Sequence, residues 1–198
     1  MNVVIIKYNA GNVRSVSFAL ERAGVIPIIS DDPEIISKAD KVIFPGVGEA
    51  STAMKYLKEK NLDVIIKQLK QPVLGICLGM QLMCKYSEEG STNCLGIFDQ
   101  KVLKFKNESE NLNYKIPQIG WNKICELKSP LLANINENEY MYFVHGYYVE
   151  IGEQTISTSN YIREFSSGIQ KNNFYALQFH PEKSGVMGQQ VINNFLKL

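Results

Sequence analysis

Apolar positions in the first half of the chain follow two alternating rhythms. Short unbroken runs at residues 3–6, 26–29, 42–44 and 73–76 predict strands that are apolar on both faces. Between them lie helical patterns at 13–23, closed by Gly24, and around 51–58 and 62–70, while Ser30-Asp31-Asp32-Pro33 carries the capping residues and N1 proline of a helix start. A strand buried on both faces needs a layer on each side, so the pattern predicts a parallel sheet covered by helices, with right-handed crossovers. The second half has less helix and more strand, at 102–105, 140–149, 155–159 and 174–179, which predicts a mixed or antiparallel extension. The polar stretches 107–113 and 134–139 are expected as exposed loops. A last helix is expected over 186–196, with Val191, Ile192 and Phe195 as its core stripe.

Composition narrows this picture without changing it. At 198 residues, with 45% hydrophobic and 21% charged positions, the chain suits one globular domain spanning 1–198. A net charge of +1 gives no electrostatic reason to bind nucleic acid or an anionic membrane. The chain opens directly into a strand, without a basic leader or an apolar run near the roughly 18 residues of a membrane span, so a cytoplasmic protein is expected. The four cysteines (Cys77, Cys84, Cys94, Cys125) are dispersed with no C-x-x-C pair, and thiols rather than disulfides are expected. With only His145 and His180 available, a multi-histidine metal site is hard to build, and neither metal nor cofactor is expected.

Candidate chemistry begins at Gly75-Ile76-Cys77-Leu78-Gly79. The segment follows a strand and opens a helix, the setting of a nucleophile elbow with Cys in place of Ser. Such a turn projects its central residue at the carboxyl edge of the sheet, and the helix start beneath it favours a thiolate, the reactive form. Most free cysteines are merely small buried hydrophobes, and Cys84, Cys94 and Cys125 are read that way. A thiolate nucleophile needs an imidazole to move protons. His180 ends an apolar strand, Pro181 stops the pairing, and in extended geometry Glu182 would project on the same side and hold one ring nitrogen. The reading competes with a structural histidine and with a His-x-Glu metal pair; it gives a Cys77-His180-Glu182 triad. His145, within Tyr142-Phe143-Val144-His145-Gly146-Tyr147, is taken as structural. Attack on an amide also needs N–H donors for the developing oxyanion. Leu78 at the helix start is one candidate, and Pro45-Gly46-Val47-Gly48 after a strand is the other, although a plain strand-to-helix turn would look the same.

Taken together, Pro45-Gly46-Val47-Gly48, Gly75-Ile76-Cys77-Leu78-Gly79-Met80-Gln81, Gly120-Trp121-Asn122, Tyr142-Phe143-Val144-His145 and Phe179-His180-Pro181-Glu182-Lys183-Ser184 resemble, in order and over nearly the whole chain, the triad-type class I glutamine amidotransferases. Within them the closest likeness is to the glutaminase subunits of imidazole glycerol phosphate synthase. The resemblance implies a flavodoxin-like α/β fold and hydrolysis of L-glutamine to glutamate and ammonia. It gives Cys77 as nucleophile, His180 as acid/base and Glu182 as orienter. The oxyanion donors would come from Leu78 and from Val47-Gly48, the latter after a peptide rearrangement. Gln81 and Glu89 would hold the polar head of glutamine, with main-chain contacts from Gly146 and Tyr147. Asn12, Trp121, Tyr142 and Lys183 would face a (β/α)8-barrel cyclase that consumes the ammonia in a heterodimer. Three departures stand out: Gln118 replaces a usual histidine, Gly146 a frequent serine, and the segment ahead of Gly11-Asn12 varies. Two alternatives stay open, a paralogous glutaminase subunit feeding another synthase such as one that amidinates a nucleotide sugar, and a stand-alone cysteine hydrolase. A regulatory subunit without catalysis would be expected to lack one of the triad residues.

Overall fold

The computed structural model of this chain describes residues 1–8, 12–107 and 114–198. The elements alternate as the apolar rhythm predicts: β1 (Val3–Ile6), α1 (Val13–Arg22), β2 (Ile28–Ser30), α2 (Pro33–Ser37), β3 (Lys41–Phe44), α3 (Ala50–Glu59), α4 (Leu62–Gln68), β4 (Val73–Ile76) and α5 (Leu78–Met83). The second half contributes β5 (Tyr86–Ser87), β6 (Thr92–Asn93), β7 (Lys101–Lys104), β8 (Gln118–Ile124), β9 (Glu139–His145), β10 (Tyr147–Val149), β11 (Thr155–Asn160), β12 (Glu164–Lys171), β13 (Phe174–Leu177) and the closing helix α6 (Gly185–Lys197).

The main sheet runs β2-β1-β3-β4-β13-β12-β10-β7-β5-β6, with β11 on β12. Pairing is parallel from β2 through β13. Beyond β13 it is antiparallel except between β5 and β7. A separate antiparallel pair joins β8 to β9. The result is a mixed central sheet, parallel in its first half, with flanking helices and a small second sheet, the architecture that the resemblance implies.

Alternation along the parallel strands feeds two cores. Val4, Ile6, Val42, Phe44 and Val73 pack with Ile36, Leu57, Ile66 and Met80 of α2 to α5. Val3, Ile5, Ile43, Leu74 and Ile76 pack on the other face with Val16 and Leu20 of α1, Val191 and Phe195 of α6, and Phe143 of β9. Each such fully buried side chain stabilises the fold by about 1.5–3 kcal/mol. The expected start of α2 holds: Asp32 accepts the Glu34 N–H at 2.8 Å, with Pro33 at the first helical position.

Several expectations need correction. The strand expected over 26–29 is displaced to Ile28–Ser30 and lies at the sheet edge, so Ile26, Ile28 and Ile29 stay exposed. The single strand expected over 140–149 is two strands in different sheets, parted at Gly146, where His145-Gly146 interrupts the apolar run. Strands β8 and β12 have no counterpart among the expected strands. In β12 the central positions are Ser166 and Ser167, buried because their hydroxyls meet Thr155 and Ser157 at 2.7 and 2.9 Å. Residues 108–113 of the expected loop, and Gly11, lie outside the described residues.

Candidate active site

Strands β4 and β13 are parallel neighbours, with Ile76 paired to Leu177, and the ladder ends when the Cys77 N–H donates to the Leu177 carbonyl at 2.7 Å. This register brings two segments about a hundred positions apart to one sheet edge. After β4 the chain turns at once into α5, with Cys77 at φ 52° and ψ −107°. That backbone region costs a non-glycine residue about 1–3 kcal/mol and persists only where packing enforces it. The enforcement is visible in the flanking glycines: a Cβ on Gly79 would collide with the Phe44 carbonyl, and one on Gly75 would lie 3.0 Å from the Met80 nitrogen and the Met83 sulfur. Close approach of α5 to β3 and β4 therefore requires both.

After β13, His180 leads into a turn of 3-10 helix over Pro181–Lys183. The extended geometry expected for His180 and Glu182 is thus not what joins them. The turn folds the carboxylate back onto the ring, with His180 Nδ1 2.8 Å from Glu182 Oε1 and both side chains almost fully buried. His180 Nε2 is buried without a hydrogen-bond partner among the described residues. Burial pulls the imidazole down, but the facing Cys77 and the Glu182 carboxylate outweigh it and push the pKa up to about 10. An imidazole so placed beside a cysteine can exchange a proton with it.

Beside the sulfur opens a cleft of about 230 Å³ that unites Val47, Gly48, Leu78, Gln81, Glu89, Gly146 and Tyr147 with Cys77. Glu89 accepts the Ala50 N–H at 2.8 Å, and burial raises its carboxyl pKa. The Leu78 N–H is not open to the cleft: it donates to the Gly46 carbonyl at 3.3 Å. The buried Tyr8 hydroxyl donates to the Pro45 carbonyl of the same turn.

Trp121, Tyr142 and Lys183 form one strip away from the cleft. The Trp121 and Tyr142 rings meet edge to face at 5.9 Å, and Lys183 Nζ sits 6.0 Å from the Tyr142 ring centre. Trp121 is 56% exposed. The strip backs directly on the site, because the His180 N–H donates to the Tyr142 carbonyl at 2.9 Å. Asn12, half-buried beside the strip, turns its side-chain amide onto the pair behind the sulfur and donates to Glu182 Oε1.

Sequence reasoning missed Pro117 and Val144 on the cleft wall and, above all, Gln178, a polar residue inside an apolar run whose amide reaches the Cys77 sulfur. His145 also lines the cleft. Its Nδ1 lies 2.7 Å from the Tyr147 carbonyl, its ring is packed against Phe105, Phe143 and Phe165, and burial lowers its pKa to about 4.

Residues 6–198 match the family model described as glutamine amidotransferase class-I. The chain is 56% identical over 198 residues to the imidazole glycerol phosphate synthase subunit HisH of Bacteroides fragilis strain YCH46, covering all of both proteins. It is 46% identical over 200 residues, again covering all of both, to the HisH subunit of Blochmanniella floridana. In fold it is similar to a glutamine amidotransferase of Thermotoga maritima, with a TM-score of 0.65 at 18% identity over 100% of this chain and 81% of that one. With its elbow cysteine, buried histidine–glutamate pair and adjoining cleft, the chain belongs to the class-I glutamine amidotransferase family.

Proposed function

We propose that this chain, as one amidotransferase unit over 1–198, is the glutaminase subunit of an imidazole glycerol phosphate synthase. The observation that carries the proposal is Cys77 on the wall of an amino-acid-sized cleft, with the buried His180–Glu182 pair beside it. Full-length identity to subunits of that name supports the choice of pathway. In this reading the Cys77 thiolate adds to the side-chain amide carbon of L-glutamine, and the His180 imidazolium gives its proton to the departing nitrogen. Water then cleaves the glutamyl thioester with His180 as base, releasing glutamate. Glu182 keeps the ring oriented and charged, and Asn12 steadies Glu182. Gln81 and Glu89 hold the polar head of the substrate, with Gly146 and Tyr147 offering main-chain groups.

Ammonia is the second product, and in neutral water it protonates and loses its nucleophilicity, so its release has to be sheltered. The acceptor is a (β/α)8-barrel cyclase docked on Asn12, Trp121, Tyr142 and Lys183, which converts PRFAR to imidazole glycerol phosphate and AICAR. Coupling is supported by two contacts. The Leu78 N–H is occupied by Gly46, so an oxyanion hole built from Leu78 and Val47-Gly48 requires that turn to re-aim. The Tyr142 carbonyl, on the docking strip, holds the His180 backbone. Capture of the barrel partner followed by a glutaminase assay tests the reading. Turnover should rise when the cyclase and its nucleotide are present, and equal rates for the isolated chain and the loaded complex would sink it.

A further inference from the structure

We propose that Gln178 is a positioning residue that presents an amide N–H to the Cys77 sulfur and ties that sulfur to Gln81 in the adjoining cleft. The inference rests on Cys77 being the nucleophile. Gln178 is fully buried, and its backbone N–H is fixed on the Ser167 carbonyl at 2.9 Å. The direction of its side-chain amide follows from a chain of contacts with a single consistent orientation. The Tyr147 carbonyl can only accept, so the group 3.0 Å from it must be the amino end of Gln81. That same Nε2 lies 2.9 Å from Gln178, which must therefore turn its carbonyl oxygen to Gln81. The amino end of Gln178 is then left 3.6 Å from Cys77 Sγ, as a donor.

A donor at that point discriminates between the two states of the sulfur. The thiol places its own proton on the Val144 carbonyl at 3.7 Å, an acceptor that gives nothing to an anion. The thiolate, having no proton to donate, gains from the Gln178 N–H, and a hydrogen bond to an ionised acceptor in a buried site is stronger than one to a neutral group. Gln178 and His180 thus approach the sulfur from one segment after β13, one as a fixed neutral donor and the other as the mobile proton carrier. Because the other end of the same amide holds Gln81, displacement of Gln81 by a ligand would also be felt at the sulfur.

The test is alkylation of Cys77 by iodoacetamide in the full-length protein, followed at that residue by mass spectrometry across neutral to alkaline pH. Gln178→Met keeps the volume and removes the donor. Its labelling at neutral pH should be about tenfold slower than in the wild type, the equivalent of one unit in the ionisation, with the deficit closing at alkaline pH where thiols are ionised without help. Gln178→Glu keeps the shape but sets a carboxylate against the sulfur, and should label more slowly still. Equal rates, or a deficit that is the same at every pH, would overturn the role of Gln178. If the Met variant does not fold, an unchanged labelling profile in the Glu variant overturns it equally. Failure of the nucleophile reading looks different: wild-type Cys77 would then label no faster than Cys94 or Cys125.

Discussion

The two glycine-bearing turns at the cleft follow neighbouring parallel strands and lead into helices, yet they are built to opposite specifications. The turn after β4 is clamped on every side. Cys77 is held at φ 52°, and the glycines flanking it have no room for a methyl group. The turn after β3 is clamped only at its front, where the Pro45 carbonyl accepts from Tyr8 and the Gly46 carbonyl from Leu78. At its back, Val47 is 37% exposed. Gly48 has φ +136°, and a Cβ there would find its nearest neighbour 3.9 Å away, a Leu78 methyl. A turn with space around it can be re-aimed at little cost, and one without space cannot. The difference teaches that Cys77, the proposed nucleophile, is preorganised, while Val47-Gly48, one of the two segments proposed to meet the oxyanion, is the adjustable part.

The largest expected effect removes the fixed turn's chemistry. In the complex with the cyclase, Cys77→Ala should lower glutamate formation by roughly a thousandfold or more. Synthesis supplied with free ammonia should continue, since in the proposed function the cyclase chemistry is the partner's. Residual glutaminase near the wild-type level would remove Cys77 from the mechanism.

Next in size is a contrast in stability. Gly79→Ala, which drives a methyl group into the Phe44 carbonyl, should cost about 2–3 kcal/mol in urea unfolding. Gly48→Ala strains only a positive φ, at a cost of about 1 kcal/mol, and its main effect should fall on the partner-stimulated glutaminase rate. The reverse ranking would break the comparison between the two turns.

The cleft wall supplies a pH signature that neither turn provides. His145 is held down at about 4, so below its ordinary 6.5 the unfolded chain takes a proton that the folded chain refuses. Stability should therefore fall as the pH drops from 6.5 towards 4, by about 2 kcal/mol between pH 7 and pH 5, and His145→Gln should flatten that slope in unfolding measurements. His180 has the opposite sign: its raised pKa contributes stability that is complete below 6.5 and lost as pH climbs through about 10.

The smallest effect probes the front clamp of the adjustable turn. Tyr8→Phe deletes one buried hydrogen bond to Pro45 and should lower stability by about 1 kcal/mol while leaving the alkylation rate of Cys77 unchanged. A change in that rate would mean that the hydrogen bond between Leu78 and Gly46 couples the two turns.

Much of the parallel half was legible because burial on both faces leaves unbroken apolar runs, as in Val3-Val4-Ile5-Ile6, and because Asp32-Pro33 spells out a helix start. Cys77 stood out through its bracketing glycines, and the structure gives the reason, since Gly75 and Gly79 are demanded by contact distances. Strand β12 was illegible because its buried Ser166 and Ser167 find hydroxyl partners in Thr155 and Ser157 of β11, and a hydropathy pattern scores them as surface. Gln178 was passed over for a related reason: its polarity makes sense only once Gln81, Tyr147 and Cys77 surround it.

By itself, then, the sequence determined the alternation of strands and helices and the elbow at Cys77, because each is written in local spacing of a few residues; it named His180 and Glu182 as partners, but the 3-10 turn that joins them came from the structure. Tertiary structure decided what local spacing cannot reach. The register of β4 on β13 set Cys77 beside His180 across about a hundred intervening positions. The packing of the α1 start against the turn after β13 placed the Asn12 amide on Glu182, about 170 positions away. The contact of Gly46 with Leu78 decided that the N–H proposed as an oxyanion donor is occupied in this conformation. Those outcomes depend on long-range hydrogen bonds and on which surfaces fit, and neither is carried by any single stretch of the chain.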